Sequence, residues 1–245
     1  MKWQVWASTI FIWIAVEKTP KGSLMCTIQP DQKNAVLDEI LATRRSHRMF
    51  LLDIPPEEDI RRILHAGLLA PFSAAVVGTS KDYFRRFFVM RKGSKALDAA
   101  SARILERVMT MSEELERTMG KDARLRASAA RFAQRLEMIK KKGVVPGIGT
   151  APYYIIAAER KGYPPVELQS LAHCMENMWL KATALDLGFH IVSVTSEMSD
   201  DPRFCAILGI PPGEWALMGC AVGYPHDELS PSIRPPVEDL TRWLD

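Results

Sequence analysis

Arg44-Arg45-Ser46-His47-Arg48-Met49-Phe50 is the stretch on which the reading of this chain turns. It follows Val36, Leu37, Ile40 and Leu41, whose spacing predicts a helix over residues 35–42. Three guanidinium groups and a hydroxyl within five residues suit a terminal phosphate, which takes charge-assisted, often bidentate donors. The run is too short and too mixed for a nucleic-acid-binding tail. It reads as a small anion site at the end of a helix, against the plainer alternative of a solvated helix C-terminus where Arg complements the dipole.

The surroundings favour the site. After the arginine run come Ile54-Pro55-Pro56-Glu57-Glu58, a second helix over 57–69 with Ile60, Ile63, Leu64 and Leu68 in helical register, and Ala70-Pro71. Further on stand Gly149-Thr150-Ala151-Pro152, the apolar strand Tyr153 to Ala158, and the segment Leu171 to Ala182 containing Met178-Trp179. Leu185-Asp186-Leu187-Gly188, Leu208-Gly209-Ile210-Pro211, Gly223-Tyr224-Pro225 and Arg234-Pro235-Pro236 close the series. In this order the pieces resemble the FMN-dependent nitroreductase family, as a divergent member. The resemblance spans residues 36 to 240, with a weak patch at 72–86 and a variable middle at 93–145.

Periodicity supplies the remaining elements. Phe84 to Met90 reads as a strand. Lys95 to Met119 and Ala123 to Lys142 are helical patterns separated by Gly120, the second with a basic face. Val166 to Leu187 is a helix with apolar positions nearly all round, predicting a central, buried element. Ile191 to Val194, the short helix Pro202 to Leu208, the strand Trp215 to Val222 and an extended, proline-rich tail follow. Strands separated by helices predict an α+β or α/β sandwich around a central sheet. The resemblance narrows this to an α+β fold, an α-β-α sandwich with a mostly antiparallel sheet. It further implies a homodimer with FMN at the interface and a C-terminal tail reaching over the partner. The expected division is an N-terminal extension over 1–34 and one FMN-binding domain over 35–245, with 93–145 as a helical insert or lid.

Composition bounds the function. The chain has 245 residues, 47% of them hydrophobic and 25% charged, an ordinary globular mix. A net charge of +3 is too small to imply nucleic acid or an anionic membrane. The four cysteines (Cys26, Cys174, Cys205, Cys220) form no C-x-x-C pair and no metal pattern. The last three sit in apolar surroundings as small core residues, and a reduced, cytoplasmic protein is the expectation. Trp3 to Val16 is almost wholly apolar but about 14 residues long, short of the roughly 20 that a membrane span needs. It reads as an arm packing on the body or as sequence ahead of a start at Met25, rather than as a signal peptide.

What the resemblance implies for the site can be stated residue by residue. Arg44, Ser46 and Arg48 match the family's phosphate, ribityl and pyrimidine-edge donors, and Arg234 its late phosphate arginine. Where the family carries a second cation two residues earlier, this chain has Ser232, and Arg45 or Arg242 could supply the missing charge. Ser193-Val194-Thr195-Ser196 falls where backbone N–H groups meet flavin N5 and O4, with Thr195 and Ser196 as tuning residues; the alternative is a strand end with turn-forming hydroxyls. Ser73 matches the serine of A-P-S-x-x-N-x-Q-P-W, but Ala75 stands at the asparagine and Q-P-W is missing. Met109, Met111, Met119 and Met138 either pack the core and a dimer contact or line a substrate lid.

The expected activity is FMN-dependent, NAD(P)H passing hydride to flavin N5 and then to a nitroaromatic, quinone or similar acceptor by ping-pong. Two other readings are a divergent flavin enzyme (reductive dehalogenation or flavin fragmentation) and a non-catalytic flavin- or ligand-binding dimer. No dedicated acid–base dyad, P-loop, G-x-G-x-x-G opening a helix, or G-x-S-x-G occurs.

Overall fold

A computed structural model of the chain describes residues 30–72, 83–230 and 232–244. The chain divides into two compact units, 1–39 and 40–245. In the first, the described residues belong to α1 (Pro30–Thr43), none of whose side chains is buried and which leaves Val36 and Leu37 exposed. The readings of residues 1–25, Cys26, Ser73 and Ala75 lie outside the described residues.

The second unit is built on strands β1 (Arg85–Arg91), β2 (Tyr153–Arg160), β3 (Gly188–Val192) and β4 (Trp215–Gly223), in the order β1-β2-β4-β3 with every pairing antiparallel. Its helices are α2 (Glu57–Leu68), α3 (Lys95–Met119), α4 (Ala123–Lys142), α5 (Glu167–Thr183) and α6 (Pro202–Leu208). Side chains alternate across the two central strands, so their continuous apolar runs supply two cores. Tyr154, Ile156 and Ala158 of β2, with Leu217 and Ala221 of β4, meet Ile104 and Val108 of α3, Leu136 of α4 and Phe204 of α6. Tyr153, Ile155 and Ala157, with Cys220 and Val222, meet Ile60 and Ile63 of α2 and Leu171, Met175 and Met178 of α5. Helices on both faces of one antiparallel sheet make the expected α-β-α sandwich.

Local chemistry sets the ends of the insert helices. Ser94 caps α3 by accepting from the Leu97 amide, and Asp122 caps α4 by accepting from Arg124 and Leu125. Gly143 closes α4 in the left-handed conformation, φ +64°.

Two expectations need correction. Helix α5 is not buried all round. Ser170, Leu171, Cys174, Met175, Met178, Trp179 and Ala182 form one buried face, while Leu168, Ala172, His173 and Glu176 are exposed. The apolar residues around the helix mask an ordinary one-sided packing on the sheet and α2. The β3 strand also lies earlier than expected, starting at Gly188 and ending at Val192, where Ser193–Met198 turns into a 3-10 helix.

A charged group is sealed into this packing. Arg85 and Glu159 pair at 2.7 Å with both side chains inaccessible, and Arg85 also donates to the Gly67 carbonyl and to Ser170. Removing one member of such a pair costs about 3–5 kcal/mol, because the other is left charged and unmatched. The pair ties the C-terminal end of α2 to the sheet.

Candidate functional site

The arginine run leaves α1 and passes along the free edge of β3. Ser46 forms a parallel bridge to Phe189, and the His47 amide donates to the Phe189 carbonyl at 3.0 Å. Phe50 bridges Pro225, just past β4. In an extended run alternate residues face opposite ways, and the two sets separate here. Arg45 and His47 line a recess with Thr183, Asp186 and Pro225. Arg48 lines a different and larger cavity.

Trp179 of α5 fixes the start of the run. Its indole N–H donates to the Arg45 carbonyl at 3.1 Å, and the Arg44 guanidinium lies 4.2 Å from its ring centroid. Arg44 also pairs with Glu176 at 3.6 Å. Arg45 acts on the backbone, donating to the carbonyls of Ala42, Arg44 and, across the fold, Ser230. That last bond fastens the start of the C-terminal tail to the arginine run, with Ser232 and Arg234 two and four residues further on. Both are exposed, and the Arg234 guanidinium donates to the Ile233 carbonyl at 3.4 Å.

The larger cavity, about 370 Å³, opens between α3–α4 on one side and β3 with the 3-10 helix on the other. Arg48, Ser193, Val194 and Ser196 line it, as do Met111, Phe132, Arg135 and His190. The loop after α4 holds Arg48 in place: the Thr150 hydroxyl lies 3.4 Å from the Arg48 carbonyl oxygen. Gly147, at φ +93°, lets this loop pass so close to β3 that a Cβ would sit 3.0 Å from His190 and Val192.

Thr195 lies at the start of the 3-10 helix with its side chain away from the cavity. Its side chain is buried and turned into the core, where its hydroxyl donates to the Val192 carbonyl at 2.6 Å and lies 2.5 Å from the Tyr154 hydroxyl. Only its backbone remains to face a ligand. Ser196 bonds back to the Ser193 carbonyl at 2.8 Å.

The electrostatics are one-sided. Burial and, secondarily, the Arg135 guanidinium lower the pKa of Arg48. Burial, then Arg48 and Arg135, push His190 down to about 4, so it is neutral at neutral pH. Glu197, the carboxylate on the rim, is held by Arg107 at 2.7 Å. The cavity therefore presents two guanidinium groups without a matching carboxylate among the described residues. Arg135, His190 and Trp179 were not picked out as site residues by sequence. Arg135 lay in a basic helix face with no spacing to distinguish it, and His190 stood alone. Of the four methionines, Met111 does line the cavity.

An antiparallel sheet sandwiched by helices, with an arginine-bearing extended run along its edge strand, defines the class of protein. The profile of the Nitroreductase family matches residues 41–224, and the chain belongs to that family. Among solved structures it is similar to a nitroreductase with bound FMN from Bacteroides fragilis, with TM-score 0.60 and 19% identity over 85% of this chain and 98% of that one. A nitroreductase with bound FMN from Desulfitobacterium hafniense gives TM-score 0.61 and 18% identity over 86% and 98%. A BluB-like flavoprotein from Clostridium difficile gives TM-score 0.59 and 21% identity over 85% and 99%. At these identities the likeness is one of fold. No curated protein sequence matches the chain. Among the described residues, no helix is long and apolar enough to cross a membrane and no cluster of side chains could hold a metal ion.

Proposed function

We propose that this protein is an FMN-dependent NAD(P)H oxidoreductase acting on a nitroaromatic, quinone or similar acceptor by ping-pong. The observation that carries the reading is Arg48, a guanidinium without an ionic partner among the described residues, lining a 370 Å³ cavity together with Ser193, Val194 and Ser196. That volume lies within the range of small-molecule sites. Two of the structural relatives carry FMN in the same fold.

Arg48 would meet the pyrimidine edge of the flavin, and the amides at the start of the 3-10 helix its N5–O4 side. Arg44, Ser46 and Arg234 would hold the phosphate, with Arg45 keeping the tail near enough for Arg234 to take part. When bound, FMN supplies the two-electron chemistry, and the protein supplies binding, orientation and charge. Helices α3 and α4 would wall the cavity and limit water.

A homodimer fits the surface. Ile233, Val237, Leu240, Trp243 and Leu244 on the tail are all exposed, Trp243 by 88%, and so much apolar surface on an extended arm suits a partner subunit. We take 35–245 as one FMN-binding domain, 93–145 as its lid and 1–34 as an extension. We take the cytoplasm as its compartment, in keeping with its free, buried Cys174, Cys205 and Cys220.

A second reading, a flavin-binding dimer without turnover, is favoured by one observation: Arg44 is already engaged by Glu176 and Trp179. Anaerobic mixing of the FMN-loaded protein with NADH or NADPH separates the two. Rapid bleaching of the flavin, reversed by an acceptor, supports the enzyme. Flavin that stays oxidised overturns it.

A further inference from the structure

The two walls of the cavity differ in kind. The sheet side carries Arg48, Ser193 and Ser196, from the segments assigned above to a cofactor edge, together with His190. The helical side is apolar, with Met111, Phe132 and Leu136, and bears one charged group, Arg135 of α4. Arg135 makes no ion pair among the described residues. The rim carboxylate of Glu197 pairs with Arg107 of α3 instead. Two like charges bordering one space repel each other, and an anion between them relieves the repulsion. A guanidinium beside an aromatic wall also suits a ring that carries its own oxyanion, which the planar fork can grip in two places.

We propose that Arg135 selects the acceptor: the substrate is an aromatic ring bearing a carboxylate or comparable oxyanion, with the ring against Phe132 and Leu136 and the oxyanion on Arg135. This rests on the FMN-dependent reading, in which the opposite wall belongs to the cofactor. Arg135 lies outside the motifs shared with the family, so it marks a preference belonging to this chain. It is a specificity residue and takes no part in the electron transfer.

The test uses the full-length, FMN-loaded protein and two probes of one shape, para-nitrobenzoate and para-nitrobenzamide. Binding is measured by calorimetry, and flavin content by absorbance, for wild type, Arg135→Gln and Arg135→Lys. Arg135 is exposed, so its substitution leaves the fold intact. The wild type should bind the carboxylate about tenfold more tightly than the amide, the scale of a charge-assisted pair. Arg135→Gln should erase the preference while keeping the flavin and the amide affinity, and Arg135→Lys should restore part of it.

Equal binding of both probes by the wild type overturns the proposal, as does a preference that survives in Arg135→Gln. Loss of flavin from Arg135→Gln gives Arg135 to the cofactor and overturns it too. A wild type that takes up no FMN defeats the cofactor reading on its own. The same titrations on the flavin-free chain then decide for or against an Arg135-dependent carboxylate preference.

Discussion

The Tyr154 hydroxyl lies 2.5 Å from the Thr195 hydroxyl, both wholly buried, beneath Gly219 of β4. Thr195 donates its one proton to the Val192 carbonyl, so Tyr154 must donate to Thr195. A Cβ at residue 219 would sit 2.3 Å from both oxygens, so glycine is what leaves room for the pair. Through it the central strand β2 sets the start of the 3-10 helix that rims the cavity.

Thr195→Val should therefore leave the Tyr154 hydroxyl without its acceptor, at about 1–3 kcal/mol. Gly219→Ala should destabilise by overpacking, about 1–3 kcal/mol or more. Urea unfolding reads both. Folded Thr195→Val should retain FMN as the wild type does, because the Thr195 side chain faces the core. Loss of flavin from a well-folded Thr195→Val would restore a direct role for that hydroxyl.

Arg45 should matter for the tail more than for the phosphate. Arg45→Ala removes the bond to the Ser230 carbonyl and should speed amide exchange over residues 226–240, while global stability falls by no more than about 1 kcal/mol. Mass-spectrometric hydrogen exchange measures this directly. Unchanged exchange in the tail would mean that the Arg45 bond does not anchor it.

His190 should make stability fall on the acid side. Its folded pKa is depressed to about 4, against 6.5 for the free side chain. Between those values the unfolded chain takes up a proton that the folded one refuses. Stability is therefore level above about pH 6.5 and declines as the pH drops toward 4. The full shift corresponds to about 3 kcal/mol, reduced to about 1–2 because the ring is partly open to solvent. His190→Gln should flatten that slope in urea midpoints measured at several pH values. A slope unchanged in the variant would assign it to other groups.

The pattern of legibility follows from the physics. The limits of α3, α4 and α6 were readable to the residue, since capping groups and glycines stand at their ends. The strands were readable from continuous apolar runs, but the limits of β3 were not. Ser193–Ser196 turn into a 3-10 helix whose register is fixed by Tyr154, far away in sequence. For α5, apolar residues on the exposed face hid the one-sided packing. Arg48 could be singled out by its motif. The different fates of Arg44, Arg45 and Arg48 could not, since they depend on Trp179, Ser230 and a cavity wall. Arg135 belongs to a part of the chain where the resemblance gives no guide, and only the folded cavity sets it opposite Arg48.

The most direct test of the central claim is the visible absorption spectrum of the purified protein, repeated after incubation with FMN and desalting, for wild type and Arg48→Ala. The wild type should retain the absorption bands of an oxidised flavin, and Arg48→Ala, at equal folded content, should lose most of them. A wild-type protein without flavin bands after reconstitution, or an Arg48→Ala variant that holds FMN as firmly as the wild type, would contradict that claim.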